Sequence, residues 1–269
     1  RARGADAQAL SEAMLTDLER WRARTGARRL ASLHFGGGTP SLMPPEAVEA
    51  VIERAASLWG FDPGAEIGLE ANPKEAGRLA ALKAAGVRRV SLGVQALNDA
   101  DLTRLGRDHG AAEARGAYET ARALFDQVSI DLIYARENQT PEGWTAELAE
   151  VLAMRPDHLS LYQLTIEPGT AYAKAFQRGA LTPPDQDESA QMYEIAQAMT
   201  REAGLSGYEI SNHARTPADQ SVHNRLYWAG ADWIGIGPGA HSRLGSDASG
   251  GRTGFEAALR PEAYIAGVE

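Results

Sequence analysis

A glycine-rich run, Gly36, Gly37 and Gly38 followed by Thr39 and Pro40, ends an apolar, strand-sized segment of the sequence. Successive glycines leave backbone N–H and C=O groups accessible, because no side chain holds a ligand away from them. The run lacks the Gly-Lys-Ser/Thr ending of a phosphate-binding loop and the last glycine of the dinucleotide-binding pattern. We therefore predict a ligand loop of another kind, with a tight barrel turn as the alternative.

Polar residues follow the ends of several predicted strands. They are Glu70, Gln95, Arg107 and Asp131. Singly, such residues more often cap the next helix or lie at the surface. Together they match an amino-acid-like ligand that carries a sugar. Glu70 and the glycine carbonyls would accept from an ammonium group, and Arg107 would bind a carboxylate. Gln95 and Asp131 would accept from a vicinal diol.

The elements that must position these residues follow a regular alternation. Strand-sized apolar runs occupy residues 32–36, 66–72, 89–95, 127–134 and 158–165. Helical patterns separate them, among them residues 74–85, 111–125 and 141–154, with Thr140 as a cap. This βαβ repeat predicts an α/β fold with a parallel sheet. Polar residues at the ends of many successive strands favour a barrel over a doubly wound sheet.

The regular alternation of strand-sized runs and helical patterns ends near residue 170. A long polar helix is predicted over residues 185–204, followed by strands at 207–211 and 233–239. We therefore predict two domains, a barrel over residues 1–170 and a smaller α+β domain over residues 171–269.

Composition excludes several classes of function. The 269 residues include 27 Lys and Arg against 36 Asp and Glu, a formal net charge of −9. Nucleic-acid binding needs a basic surface, so this charge argues against such a partner. The absence of Cys excludes disulfides, thiolate zinc sites and iron–sulfur clusters held by these residues. No apolar run of roughly 20 residues and no secretory signal occur, so we predict a soluble, cytoplasmic protein.

Several short motifs together resemble one known family. They are Phe-Gly-Gly-Gly-Thr-Pro-Ser at 35–41, Glu-Ala-Asn-Pro at 70–73, Ser-Leu-Gly-Val-Gln at 91–95, Leu-Gly-Arg-Asp-His at 105–109, Asp-Leu-Ile-Tyr at 131–134 and the run from Tyr162 to Thr170. These are similar to the oxygen-independent coproporphyrinogen III oxidase-like radical SAM proteins. The runs at 208–212, 223–228 and 235–242 resemble the haem-chaperone (HemW-type) branch of that family. The matches span essentially the whole chain in family order.

The resemblance implies an incomplete (β/α)6-type radical SAM barrel with a smaller C-terminal domain. It also implies that S-adenosylmethionine (SAM) is bound by Gly37, Gly38, Thr39, Glu70, Gln95, Arg107 and Asp131. Family members hold a [4Fe-4S] cluster on a Cys-x-x-x-Cys-x-x-Cys loop after their first strand. We expect that strand and loop to be absent from these residues, so that the strand at 32–36 has an unpaired edge. Residues 136–139 also depart from the family's usual Pro-Gly before the Gln.

The resemblance further implies that haem or another porphyrin is the cargo. His223 is a candidate ligand of haem iron, with Tyr227 and Trp228 as a flat apolar wall for the porphyrin. We place this site on a different domain from the SAM site. In the alternative, His223 and Asn224 pin a turn between two strands. We assign His34 and His158 to packing, and expect haem to pass to an acceptor protein that could be membrane-associated.

Two other functions stay open. One is coproporphyrinogen III oxidase activity, in which reductive cleavage of SAM starts an oxidative decarboxylation. The other is a metal-dependent barrel hydrolase that would use His213, His223 and His241 with Asp232, although these spacings carry little information.

Overall fold

Parallel strands follow one another in chain order through a curled sheet. They are β1 (Leu30–Phe35), β2 (Phe61–Ala71), β3 (Arg89–Gln95), β4 (Gln127–Tyr134) and β5 (His158–Gln163). The computed structural model describes residues 7–169, 171–179, 181–245 and 251–268, so Thr170 of the last barrel motif lies outside the described residues. Two short antiparallel strands, β6 (Ser206–Gly207) and β7 (Asn212–Ala214), extend the sheet in the order β1-β2-β3-β4-β5-β7-β6.

Helices connect the strands, and most of them lie on the outside of the sheet. They are α1 (Ala7–Thr25), α2 (Pro45–Trp59), α3 (Leu79–Ala84), α4 (Asp99–Arg104), α5 (Ala111–Leu124), α6 (Pro141–Ala153), α7 (Ala171–Gln177), α8 (Gln186–Glu202), α9 (Val222–Trp228) and α10 (Pro261–Val268). Short 3-10 helices lie at Pro40–Leu42 and Pro73–Arg78. Thr140 caps α6 as predicted, because its hydroxyl accepts from the Gly143 N–H at 3.1 Å.

The five parallel strands are polar on one face and apolar on the other. In β2, for example, Glu66, Gly68 and Glu70 alternate with the buried Ile67 and Leu69. Parallel strands are more often apolar on both faces. Here the apolar face packs against the helices to form the main core, while the polar face lines the hollow of the curled sheet. The incomplete α/β barrel predicted from the sequence is therefore confirmed.

Three predicted elements differ in detail. The helix expected at 74–85 is a 3-10 helix followed by the short α3. The strand expected at 207–211 is interrupted, because β6 ends at Gly207 and the Glu209 side chain accepts from the Ser211 N–H at 2.9 Å. The run at 233–239 makes only an isolated bridge from Trp233 to Arg243. A small hairpin of β8 (His241–Gly245) and β9 (Arg252–Glu256) lies nearby in the chain.

The edge of the sheet lies where the sequence predicts it. β1 pairs with β2 alone among the described strands, so its other side is an edge. The predicted domain boundary at residue 170 falls between β5 and β7, which pair with each other, and the division into two domains stays a prediction. Among the described residues, no helix is long and apolar enough to cross a membrane.

Candidate functional site

A polar cavity of about 120 Å³ lies on the concave face of the sheet. Its lining comes from strands β1 to β5 and from the start of α9. The lining side chains with acidic, basic or imidazole groups are Glu70, Arg89, Asp131, His34, His158 and His223. At about 30 Å³ per liquid water molecule, the cavity holds only a few waters, so SAM or a porphyrin would enter it with only part of its atoms.

Glu70 lies near the end of β2, next to the glycine loop. Its Oε2 accepts a hydrogen bond from the Gly37 N–H at 3.2 Å, and its Oε1 lies 3.5 Å from Nε2 of His34. The hydrogen bond from His34 lowers the pKa of the Glu70 carboxyl from its usual 4.5. A Cβ at Gly36 would lie 3.0 Å from Oε1 of Glu70, so a glycine at this position allows the close approach. The carboxylate is half exposed and able to accept from a cationic ligand.

Asp131 lies on β4 at the centre of the cavity wall. Both of its oxygens accept from the Ser91 hydroxyl at 2.7 Å, and Oδ1 lies 3.3 Å from the Ser129 hydroxyl. Burial raises the pKa of the Asp131 carboxyl. Ser129 also bonds to Nδ1 of His158 at 2.6 Å, and Nε2 of that ring lies 2.8 Å from the Tyr208 hydroxyl. A continuous hydrogen-bonded chain therefore runs from Asp131 through the barrel interior.

His223 belongs to α9 and enters the same cavity. Its ring stacks on His34 with centroids 4.3 Å apart, and the Tyr227 ring lies 4.7 Å away on a tilted plane. Burial, followed by the neighbouring His34, lowers the pKa of His223 to about 4. Tyr227 and Trp228 are largely exposed, with 45% and 60% of their surface accessible.

The structure corrects three expectations about the histidines. His223 and Asn224 lie in a helix rather than in a turn between two strands. His34 and His158 line the cavity, so the assignment of both to packing alone is wrong. His223 shares its cavity with Glu70, against the expectation of two separate sites. The alternation of polar and apolar residues within β1 and β5 is the signal that would have placed His34 and His158 on the polar face.

The other predicted SAM residues lie around the end of the sheet. Gly37 and Gly38 have positive φ angles of 76° and 61°, with open space where a Cβ would point. Thr39 precedes the first 3-10 helix. Gln95 also has a positive φ, 68°, and its amide lies beside Gly93.

Arg107 follows α4, and its half-buried guanidinium has its pKa lowered by burial. Gln95 and Arg107 are not among the described residues that line the cavity, so the structure joins Glu70, Asp131 and Gly37 only. The binding roles of all seven residues stay predictions.

The residues proposed for a metal-dependent hydrolase do not come together. His213 is buried in β7, while His241 is exposed in β8 and lies 4.0 Å from Glu256. Asp232 pairs with Arg28 at 2.6 Å and with Arg252 at 3.3 Å. Among the described ranges, no group of three or more His, Asp or Glu side chains is arranged to hold a metal ion. This alternative therefore has no support in the geometry.

The polar groups of the cavity fit SAM, and they do not fit a [4Fe-4S] cluster. The Glu70 carboxylate and the open glycine backbone suit the ammonium end of SAM, and Asp131 suits hydroxyl groups. An iron–sulfur cluster needs thiolate ligands, and the sequence contains no Cys. None of these residues would hold the cluster.

Comparisons with known proteins agree on the family. The radical SAM superfamily model matches residues 11–149. A protein from Mus musculus, "Radical S-adenosyl methionine domain-containing protein 1, mitochondrial", is 43% identical over 93% of this chain and 57% of its own length. The Haemophilus influenzae protein named "Heme chaperone HemW" is 36% identical over 96% of this chain and 67% of its own length. The chain spans about three-fifths of the length of such relatives.

A solved structure supports the same fold. The radical SAM enzyme coproporphyrinogen III oxidase (HemN) from Escherichia coli superposes with a TM-score of 0.78 at 21% identity. The match covers 100% of this chain and 63% of that one. With its curled sheet, its polar concave face and these relatives, the chain belongs to the radical SAM superfamily, in the branch of the relatives named HemW.

Proposed function

We propose that this chain is the SAM-binding and haem-receiving part of a haem chaperone. The observation that carries the proposal is the meeting of Glu70 and His223, through His34, in one cavity. The relatives named as haem chaperones support the same assignment. Haem would then pass to an acceptor protein. No basic surface for nucleic acid is needed in this function, and the net charge is −9.

SAM binds at the end of the sheet in this proposal. Glu70 accepts from its ammonium group, and Asp131 with Gln95 accepts from the ribose hydroxyls. Arg107 pairs with its carboxylate, which would satisfy a guanidinium whose Nε has no partner among the described residues. Gly37, Gly38 and Thr39 offer backbone groups. Bound beside a reduced [4Fe-4S] cluster, SAM would supply one-electron radical chemistry.

Haem binds at the mouth of the cavity, with His223 as the iron ligand. Because the cavity is too small for a porphyrin, the macrocycle would lie outside it, against the exposed rings of Tyr227 and Trp228. The Tyr227 ring also lies 4.4 Å from the Trp233 ring on a tilted plane, which gives this surface a fixed aromatic base. The position suits a cargo that is taken up and released.

A titration with hemin tests the haem site. In the intact protein, His223→Ala should weaken hemin binding by about tenfold or more and shift the Soret band, because the iron loses a nitrogen ligand. His241→Ala is the matched control, since His241 is exposed in β8 and outside the cavity. An unchanged hemin spectrum and affinity in His223→Ala would overturn the assignment. Formation of a decarboxylated product from coproporphyrinogen III would favour oxidase activity instead.

A further inference from the structure

The segment that carries His223 is attached to the sheet through one buried carboxylate, that of Glu66 in β2. Oε1 of Glu66 accepts from the Ser221 hydroxyl and from the His223 backbone N–H, both at 3.0 Å. Oε2 accepts from the Val222 N–H, also at 3.0 Å. The Glu66 side chain is only 3% exposed. Three hydrogen bonds to one buried carboxylate therefore fix the backbone from which the His223 side chain projects.

A buried arginine completes this attachment. Nη1 of Arg89 lies 3.6 Å from Oε2 of Glu66, and the two side chains are 5% and 3% exposed. Nη2 of Arg89 donates to the Asp219 carbonyl at 3.0 Å, so the same guanidinium also holds the chain that leads into α9. A buried carboxylate without such a partner would be costly.

Tyr208 holds the segment from the opposite side of the hollow. Its hydroxyl accepts from the Ser221 N–H at 3.2 Å and from the Asn224 amide at 3.4 Å. The same hydroxyl lies 2.8 Å from Nε2 of His158, which ties it to β5. Groups from both sides of the barrel interior thus converge on the first turn of α9.

We propose that Glu66, with Arg89 and Tyr208, is a positioning residue that holds the His223 imidazole against His34 in the cavity. The part of this inference that concerns haem rests on the proposed function. The positioning of His223 by Glu66 does not. Glu66 does not reach the cargo or SAM. Its effect on haem runs through the backbone of α9, whose placement decides where the His223 ring lies.

The rival explanation is that Glu66 stabilises the fold and nothing more. Glu147 in α6 provides a matched control, because it too is a buried carboxylate that accepts from a backbone N–H and an arginine. Its oxygens accept from the Leu97 N–H and from Nη2 of Arg136, each at 2.7 Å, and its side chain is 8% exposed. Glu147→Gln should therefore perturb stability in a similar way without contacting α9.

The experiment uses Glu66→Gln, Glu147→Gln, His223→Ala and the double variant Glu66→Gln/His223→Ala in the intact protein. In Glu66→Gln, an amide NH2 group replaces one acceptor oxygen and faces the N–H and hydroxyl donors at the start of α9. Hydrogen exchange of the Val222 and His223 amides should then speed up in Glu66→Gln and stay at the native rate in Glu147→Gln. Hemin affinity should fall about tenfold in Glu66→Gln, with a shifted Soret band, since hydrogen bonds to charged groups are lost.

The outcomes distinguish the positioning role of Glu66 from the proposed haem site. If Glu66→Gln has no further effect on hemin affinity once His223 is Ala, the two residues act through one site, as proposed. If exchange of the two amides is no faster than in Glu147→Gln, the positioning role is wrong, whatever hemin does. If exchange accelerates but hemin binding does not depend on His223, the positioning role holds and the haem site is wrong.

Discussion

The imidazole rings of His34 and His223 stack with centroids 4.3 Å apart and an interplanar angle of 19°. The two residues come from the edge strand β1 and from α9, which lies beside it. Since His34 also lies 3.5 Å from the Glu70 carboxylate, it joins the predicted SAM site to the predicted haem ligand. Substitutions around His34 should therefore affect both the SAM site and the haem ligand.

Gly68→Ala should displace His34 and destabilise the fold. A Cβ at Gly68 would lie 2.7 Å from Nδ1 of His34, which is too close for any side-chain contact. We expect a loss of about 1–3 kcal/mol in the free energy of unfolding, the usual cost of overpacking. Gly77→Ala is the control, because nothing lies within 4 Å of its added Cβ. Urea denaturation measures both, and equal stabilities of the two variants would contradict the packing around His34.

Glu70→Gln should change stability in a pH-dependent way. The hydrogen bond from His34 lowers the Glu70 pKa in the folded state from its usual 4.5. The ionised carboxylate therefore stabilises the folded state above pH 4.5, and this contribution is lost as pH falls through the lowered value. The difference in unfolding free energy between wild type and Glu70→Gln should shrink below pH 4.5. Denaturation at several pH values measures it, and a constant difference would argue against the His34 interaction.

Asp131→Asn should have the opposite pH dependence. Burial raises the Asp131 pKa above its usual 3.8, so the folded state binds more protons than the unfolded state as the carboxyl titrates. The contribution of Asp131 to stability therefore falls as pH rises through that interval. Relative to Asp131→Asn, the wild type should become less stable between pH 4 and neutral pH. If calorimetry shows parallel pH profiles, the carboxyl is not destabilised by its surroundings.

Arg136→Met should be strongly destabilising. Nη2 of Arg136 lies 2.8 Å from Asp101 and 2.7 Å from Glu147, and the Arg136 side chain is 3% exposed. Removing it leaves the buried Glu147 carboxylate without its arginine, at a cost of about 3–5 kcal/mol.

The control for this prediction is Arg104→Met, which removes a half-exposed partner of the same Asp101. Surface pairs contribute about 0–1 kcal/mol, so this variant should be nearly neutral. Thermal or chemical denaturation compares the two variants. If both lose the same free energy, the loop at 136–139 does not depend on the buried pairing.

Much of the fold was predictable because its signals are local. Apolar runs bounded by turn residues marked β3 and β4 at their observed bounds, and Thr140 with Pro141 marked the start of α6. The interrupted strand after Gly207 was less predictable, since it depends on the Glu209 side chain bonding to the backbone of Ser211. Such competition between side chain and backbone is decided by geometry that composition does not show.

The sequence by itself determined the alternation of strands and helices, the glycine loop and the polar residues at the strand ends, because each depends on neighbours in the chain. Only the tertiary structure decided that His34, Glu70 and His223 share one cavity. Glu66 and Ser221 also meet only when the sheet curls and α9 lies across its hollow, a contact between residues that are distant in the chain. The curl of the sheet and the position of α9 depend on how the helices pack on the apolar face. No short stretch of residues encodes that packing.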